Sequence, residues 1–159
     1  MSKVHRVILL GLLVSFQCQA LLPQSPKPCR EASKYEGIHS LIDIKPLVVS
    51  RVRGRVVVQG LNGEVRRGET PGAVCLSIFT SDSHRYVVST TVDKDGRFVF
   101  DHLPPGHYRL IARAEAFCTG NIPITVKRIR RASVGRGIIV YFRIPAIDVC
   151  TSAGYDRGE

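Results

Sequence analysis

Arg51, Arg53 and Arg55 occupy alternate positions in a short run whose other members are Val and Gly. A second group, Lys127, Arg128, Arg130, Arg131 and Arg136, crowds one later stretch. Alternate residues of an extended strand project from one face about 7 Å apart. The second group merges with the first if the strand carrying the arginines lies beside the last strand of the fold. The chemistry on offer is anion recognition. Arginine outnumbers lysine 17 to 6 in a chain of net charge +10, and its planar, permanently charged fork suits phosphate and carboxylate better than a lysine ammonium does. A solvated basic face with no specific ligand is the competing reading.

Other residue groups promise less. Asp93-Lys94-Asp95-Gly96 begins like a calcium loop but lacks the later bidentate glutamate of one. Asp93, Asp95 and Asp101 could hold calcium weakly; a plain hairpin turn is the favoured reading. His102 and His107 flank a Pro-Pro-Gly corner near Asp101, and a metal there needs about three convergent ligands. Two exposed turn residues explain them with fewer assumptions, so no metal or cofactor is assigned. The sequence holds no His-Glu-x-x-His, no Gly-x-Ser-x-Gly elbow and no phosphate-binding loop. Gly135-Arg136-Gly137 lacks the third glycine of a dinucleotide fingerprint and shapes a turn instead. No catalytic residue is assigned, and the chain is expected not to be an enzyme.

The elements that position these residues are strands. Before them, residues 1–20 read as a signal peptide: Lys3, His5 and Arg6, then an apolar run Val7–Phe16, then Cys18-Gln19-Ala20 as the cleavage site. The apolar run makes only about 15 Å of helix, short of a bilayer of roughly 30 Å. Export to the periplasm or the extracellular space follows, with no transmembrane helix in the mature chain. Removal of Lys3 and Arg6 leaves a charge of +8. It also removes Cys18, leaving Cys29, Cys75, Cys118 and Cys150. An even cysteine count in an exported chain favours disulfides over a metal site, with three connectivities open. Residues 21–46 form a Pro-containing linker with room for a short helix over 31–42. The domain itself spans 47–146, and residues 147–159 form a solvated tail.

Period-two alternation places strands at Val48–Val58, at Val74 onward and at Tyr86–Val92. Residues 90–117 then spell a hairpin about Asp95-Gly96, with Phe98 and Phe100 on its buried face, a Pro104-Pro105-Gly106 corner, and a strand through Tyr108, Leu110 and Ala112. Ile122–Val126 and Ile138–Ile144 complete about seven short strands. The fold class is all-β, an antiparallel two-sheet sandwich. A positive φ is expected at Gly106, where the chain reverses.

Four of these pieces also carry a family resemblance. Gly54-Arg55-Val56, Pro71-Gly72-Ala73, the run Thr91 to Phe98 and Leu103-Pro104-Pro105-Gly106-His107-Tyr108-Arg109-Leu110 appear in the order typical of the carboxypeptidase regulatory-like domain. The chain resembles that family over about residues 51–128. The resemblance implies a transthyretin-like sandwich and a non-catalytic accessory role; every matched residue is structural. It also implies that the strand starting near Cys75 lies antiparallel to the one ending near Cys118. On that topology Cys75 pairs with Cys118, and Cys29 with Cys150. Related folds include hydrolases with a terminal Tyr-Arg-Gly-Ser, which Tyr155-Asp156-Arg157-Gly158 imitates only with an interruption. Isopeptide-stapled adhesin domains need a last-strand asparagine, which is absent here.

The functional expectation is an exported, non-catalytic binding or scaffolding module of the cell envelope. Its partner is an anionic envelope polymer or lipid, or a protein docked on a strand edge. Nucleic acid is disfavoured, because no aromatic residues interleave the arginines for stacking. A carbohydrate-binding module is the alternative, weakened by the absence of Trp. A small exported hydrolase is a third class, without a motif to support it.

Overall fold

The structure is a computed structural model that describes residues 32–35, 45–60, 62–66, 69–128, 137–143 and 151–156. Residues 1–20, read above as a signal peptide, and Arg130, Arg131, Arg136, Cys29 and Cys150 lie outside the described residues, as do 31 and 36–42 of the short helix expected over 31–42; its residues 32–35 are described and are not helical.

Among the described residues the fold is all-β, with ten strands: β1 Leu47–Val49, β2 Val52–Gln59, β3 Val65–Arg66, β4 Val74–Thr80, β5 Tyr86–Thr91, β6 Arg97–Phe100, β7 Gly106–Ala114, β8 Gly120–Val126, β9 Ile138–Arg143 and β10 Ser152–Tyr155. One sheet runs β1-β8-β7-β4-β5; the other runs β10-β9-β2-β3, with β6 also on β2. Two pairings are parallel, β1 with β8 and β2 with β9, so each sheet is mixed where a purely antiparallel pattern was expected.

The alternating side chains of both sheets meet in one core. Val74, Leu76 and Ile78 of β4 and Tyr108, Leu110 and Ala112 of β7 face Val52 and Val56 of β2, with Ile138, Val140 and Phe142 of β9. A fully buried aliphatic or aromatic side chain of this kind is worth ~1.5–3 kcal/mol. Phe98 and Phe100 close the core from β6, edge to face at 6.2 Å.

Three features differ from the sequence reading. The single strand expected over Val48–Val58 is two, separated by a bend at Ser50-Arg51 and divided between the sheets. Val49 and Val52 both enter the core. An odd spacing cannot serve one face of a continuous strand, so the chain must turn between them. The expected tail contributes β10, which pairs antiparallel with β9 and registers Ser152 with Tyr141 and Tyr155 with Ile138. Ala153 and Tyr155 pack on the core, and the Tyr155 hydroxyl accepts the Val48 N–H at 2.8 Å. Finally, the glycines with positive φ are Gly63 and Gly96 among the described residues, not Gly106; at the Pro-Gly corner His102 takes the left-handed conformation, at φ 60°.

The outward face of the first sheet is also buried. Cys75, Ser77 and Phe79 alternate away from the core yet are almost fully covered, as are Ile111 and Asn121. Residues 32–35 lie over this face. The Tyr35 ring meets Phe79 edge to face at 5.2 Å and stacks on His84 at 4.0 Å. Its hydroxyl accepts from Asn121 Nδ2 at 3.3 Å, and Arg113 donates to the Lys34 carbonyl. The first sheet is therefore a middle layer at this point, which is why β4 reads Val-Cys-Leu-Ser-Ile-Phe with no charged residue.

Candidate anion-binding face

The basic residues lie where three connections meet at the start of β2. Arg51 is exposed in the bend between β1 and β2. Arg53 and Arg55 follow on the outward face of the second sheet, with Arg53 exposed and Arg55 half-buried. Register places Val99 opposite Arg53 and Arg97 opposite Arg55. Directly opposed residues of an antiparallel pair share a face, so Arg97 joins the group. Lys127 and Arg128 are exposed just past β8, and the Lys127 N–H donates to the Val49 carbonyl at 2.9 Å, two residues before Arg51.

The far end of the basic stretch returns to the same place. A Cβ built on Gly137 would lie 3.6 Å from the Arg53 carbonyl oxygen and 3.7 Å from Gly54 Cα. Both ends of the segment between Lys127 and Gly137 thus flank the β1–β2 turn. The parallel pairing of β2 with β9 causes this: Gly54 registers with Ile138, which places the entry to β9 beside Arg53. That pairing demands glycine, since a Cβ at position 54 would fall 1.7 Å from the Ile138 carbonyl oxygen.

One acidic group tempers the face. Asp156 follows β10, and its Oδ2 lies 3.2 Å from Arg55 Nε. Its backbone N–H donates to the Gly137 carbonyl at 2.8 Å, which fixes the carboxylate beside β2. At the other end of the same face Arg143 Nε donates to Gln59 Oε1 at 2.7 Å. Arg55 and Arg143 are therefore held in place, whereas Arg51, Arg53, Arg97, Lys127 and Arg128 extend into solvent. Guanidiniums so arranged can take phosphate, sulfate or carboxylate groups spaced along a polymer or surface.

Sequence reasoning missed Arg97 and Asp156. Arg97 follows Gly96 directly, and pairing the hairpin's second strand with β2 would have found it. Asp156 was hidden by the assignment of its segment to a tail.

The other candidates have local explanations. Asp93 Oδ1 accepts the N–H groups of Asp95 at 2.9 Å and Arg97 at 2.8 Å, so it shapes the hairpin turn. His107 Nδ1 lies 3.2 Å from Thr125 Oγ1, and His102 is an exposed turn residue. No three His, Cys, Asp or Glu side chains converge as a metal site among the described residues.

Cys75 and Cys118 do not stand directly opposite each other. Arg113 stands opposite Cys75 on β7, and Ala114 ends that strand opposite Val74. Cys118 lies four residues beyond, past a turn, and its N–H donates to the Arg143 carbonyl at 3.4 Å, against the second sheet. Cys75 instead shares the outward face of the first sheet with Phe79. Neither cysteine carries a free thiol.

A model of the carboxypeptidase regulatory-like domain matches residues 51–134, more than half of the chain. The protein belongs to this family of non-catalytic, transthyretin-like β-sandwich domains. No curated protein matches the chain in sequence.

Proposed function

We propose that the chain is an exported, non-catalytic binding module that recognises an anionic polymer or lipid surface of the cell envelope. The convergence of the β1–β2 turn with both ends of the 127–137 segment supports this reading most strongly. It gathers cations from sequence-distant elements: Arg51 and Arg53 from the turn and β2, Lys127 and Arg128 from the end of β8, and Arg97 from β6. The signal-like first twenty residues support export, and the family supports a non-enzymatic role.

Purified protein is tested against lipopolysaccharide, acidic polysaccharide, teichoic acid, anionic lipid vesicles and neutral glycans at low and high salt. Binding to anionic ligands that weakens with salt supports the reading. Salt-resistant binding to a neutral glycan would replace it with a carbohydrate-binding module.

A protein partner is favoured by a second observation. Strand β5 pairs with β4 alone among the described residues, and its sequence Tyr-Val-Val-Ser-Thr-Thr carries no charge, with Tyr86 and Val87 exposed. Such an edge accepts an added strand.

A further inference from the structure

Cys75 and Cys118 lie in separate surroundings, and each has a stretch of chain beside it that leads directly to another cysteine. Cys75 is buried on the outward face of the first sheet, directly opposite Arg113. Arg113 donates to the carbonyl of Lys34, so the 32–35 segment passes over this part of the face. Buried Ala32 continues that segment toward its N-terminal side. Cys29 comes three residues before Ala32, within a span of about 10 Å even if that stretch is extended.

On the opposite side of the same sheet the Cys118 carbonyl accepts from Thr151 Oγ1. Thr151 is fully buried, and a Cβ on Gly120 would meet its Cγ2 at 2.8 Å, so Thr151 is pressed onto the start of β8. Cys150 immediately precedes Thr151, one Cα step of about 3.8 Å away. Disulfides need Cα atoms roughly 4.4–6.8 Å apart. A Cys75–Cys118 bond would have to bridge from the outward face of the first sheet to a turn held on the second.

We propose that the chain carries two disulfides, Cys29–Cys75 and Cys118–Cys150, each binding one terminal segment to a different side of the first sheet. The first staples the Tyr35 segment over β4. The second anchors the start of β10, the strand that leads to Asp156 on the basic face. Each bond forms from two thiols that together lose two protons and two electrons. A disulfide oxidant accepts them and is itself reduced to two thiols.

The pairing is read by peptide mapping of the full chain carrying Cys18→Ser, reduced, then refolded with glutathione disulfide as oxidant, alkylated and cut with trypsin without reduction. The tryptic peptides ending at Arg30, Arg85, Lys127 and Arg157 hold Cys29, Cys75, Cys118 and Cys150 respectively. The expected products join the first peptide to the second and the third to the fourth. A link between the peptides ending at Arg85 and Lys127, equal amounts of all pairings, or four alkylated cysteines would overturn the proposal. In a chain carrying both Cys18→Ser and Cys29→Ser only Cys75 should become alkylated, with the Cys118–Cys150 link intact. Alkylation of Cys118 in that chain would equally overturn it.

Discussion

Arg55 and Asp156 are 101 residues apart in sequence, yet the carboxylate Oδ2 lies 3.2 Å from the guanidinium Nε on the outward face of the second sheet. The contact exists because β10 extends that sheet beyond β9, and because the Asp156 N–H is held by the Gly137 carbonyl. Among the described basic residues of this face, it neutralises Arg55.

Replacing Asp156 with Asn should therefore strengthen binding of a sulfated polysaccharide such as heparin. One unit charge a few ångströms away is worth about 1 kcal/mol in water, so the gain is roughly two- to fivefold at low salt. The Arg55 side chain is 43% exposed, and loss of such a pair changes folding stability by at most ~1 kcal/mol. Titration calorimetry and urea melts separate the two effects. Weaker heparin binding by the variant would count against Asp156 as a tempering charge.

Gly54→Ala should be severely destabilising. The added carbon would fall 1.7 Å from the backbone oxygen of Ile138, and backbone within a parallel pair cannot move aside cheaply. A loss of ~3 kcal/mol or more in urea denaturation is expected, toward the upper range for a single substitution. A loss below about 1 kcal/mol would contradict the β2–β9 register.

At the hairpin, Gly96 holds φ +72°, and a Cβ there would also approach Thr70 Cγ2 to 2.7 Å. Alanine at this position should cost ~1–2 kcal/mol. Gly106→Ala should cost less, since the nearest atoms to a Cβ there belong to the Tyr108 side chain, at 3.2 Å, and no positive φ is imposed. Thermal melts of the two variants side by side give the order, and the reverse order would contradict the turn geometry.

Tyr35→Ala removes the ring that covers Phe79 and the hydroxyl that accepts from Asn121. A loss of ~1–3 kcal/mol is expected, by analogy with buried aromatic contacts. Faster amide exchange in β4, with β9 unchanged, would accompany it. An unaltered melting temperature would show that the 32–35 segment does not hold the outward face.

Much of the sandwich was legible because its strands alternate. Leu76 and Ile78, Tyr108 and Leu110, and Ile138, Val140 and Phe142 mark core faces by spacing alone, and Asp95-Gly96 marks the hairpin. The division of the first strand was legible in principle, from the three-residue step between Val49 and Val52. What stayed hidden depended on contacts between distant segments. Ser152-Ala153-Gly154-Tyr155 alternates only through Ala153 and Tyr155, too short a pattern to mark a strand, and its pairing with β9 makes it one. Cys75, Ser77 and Phe79 read as the far side of a half-buried strand until the Tyr35 segment is seen to cover them. The basic face was legible as two separate groups; its union required the parallel β2–β9 register, and its composition required Arg97 and Asp156.

The most direct measurement is binding of the purified protein to lipopolysaccharide and anionic vesicles across a salt series, beside a variant with Arg51, Arg53 and Lys127 changed to Ser. All three side chains are exposed and none lies in the core, so the variant should fold with an unchanged melting temperature. The expected result is affinity that falls steeply with salt in the native chain, and at least tenfold weaker binding with a flatter salt dependence in the variant. Equal affinity and equal salt dependence in the two proteins would show that the basic face is not the binding site.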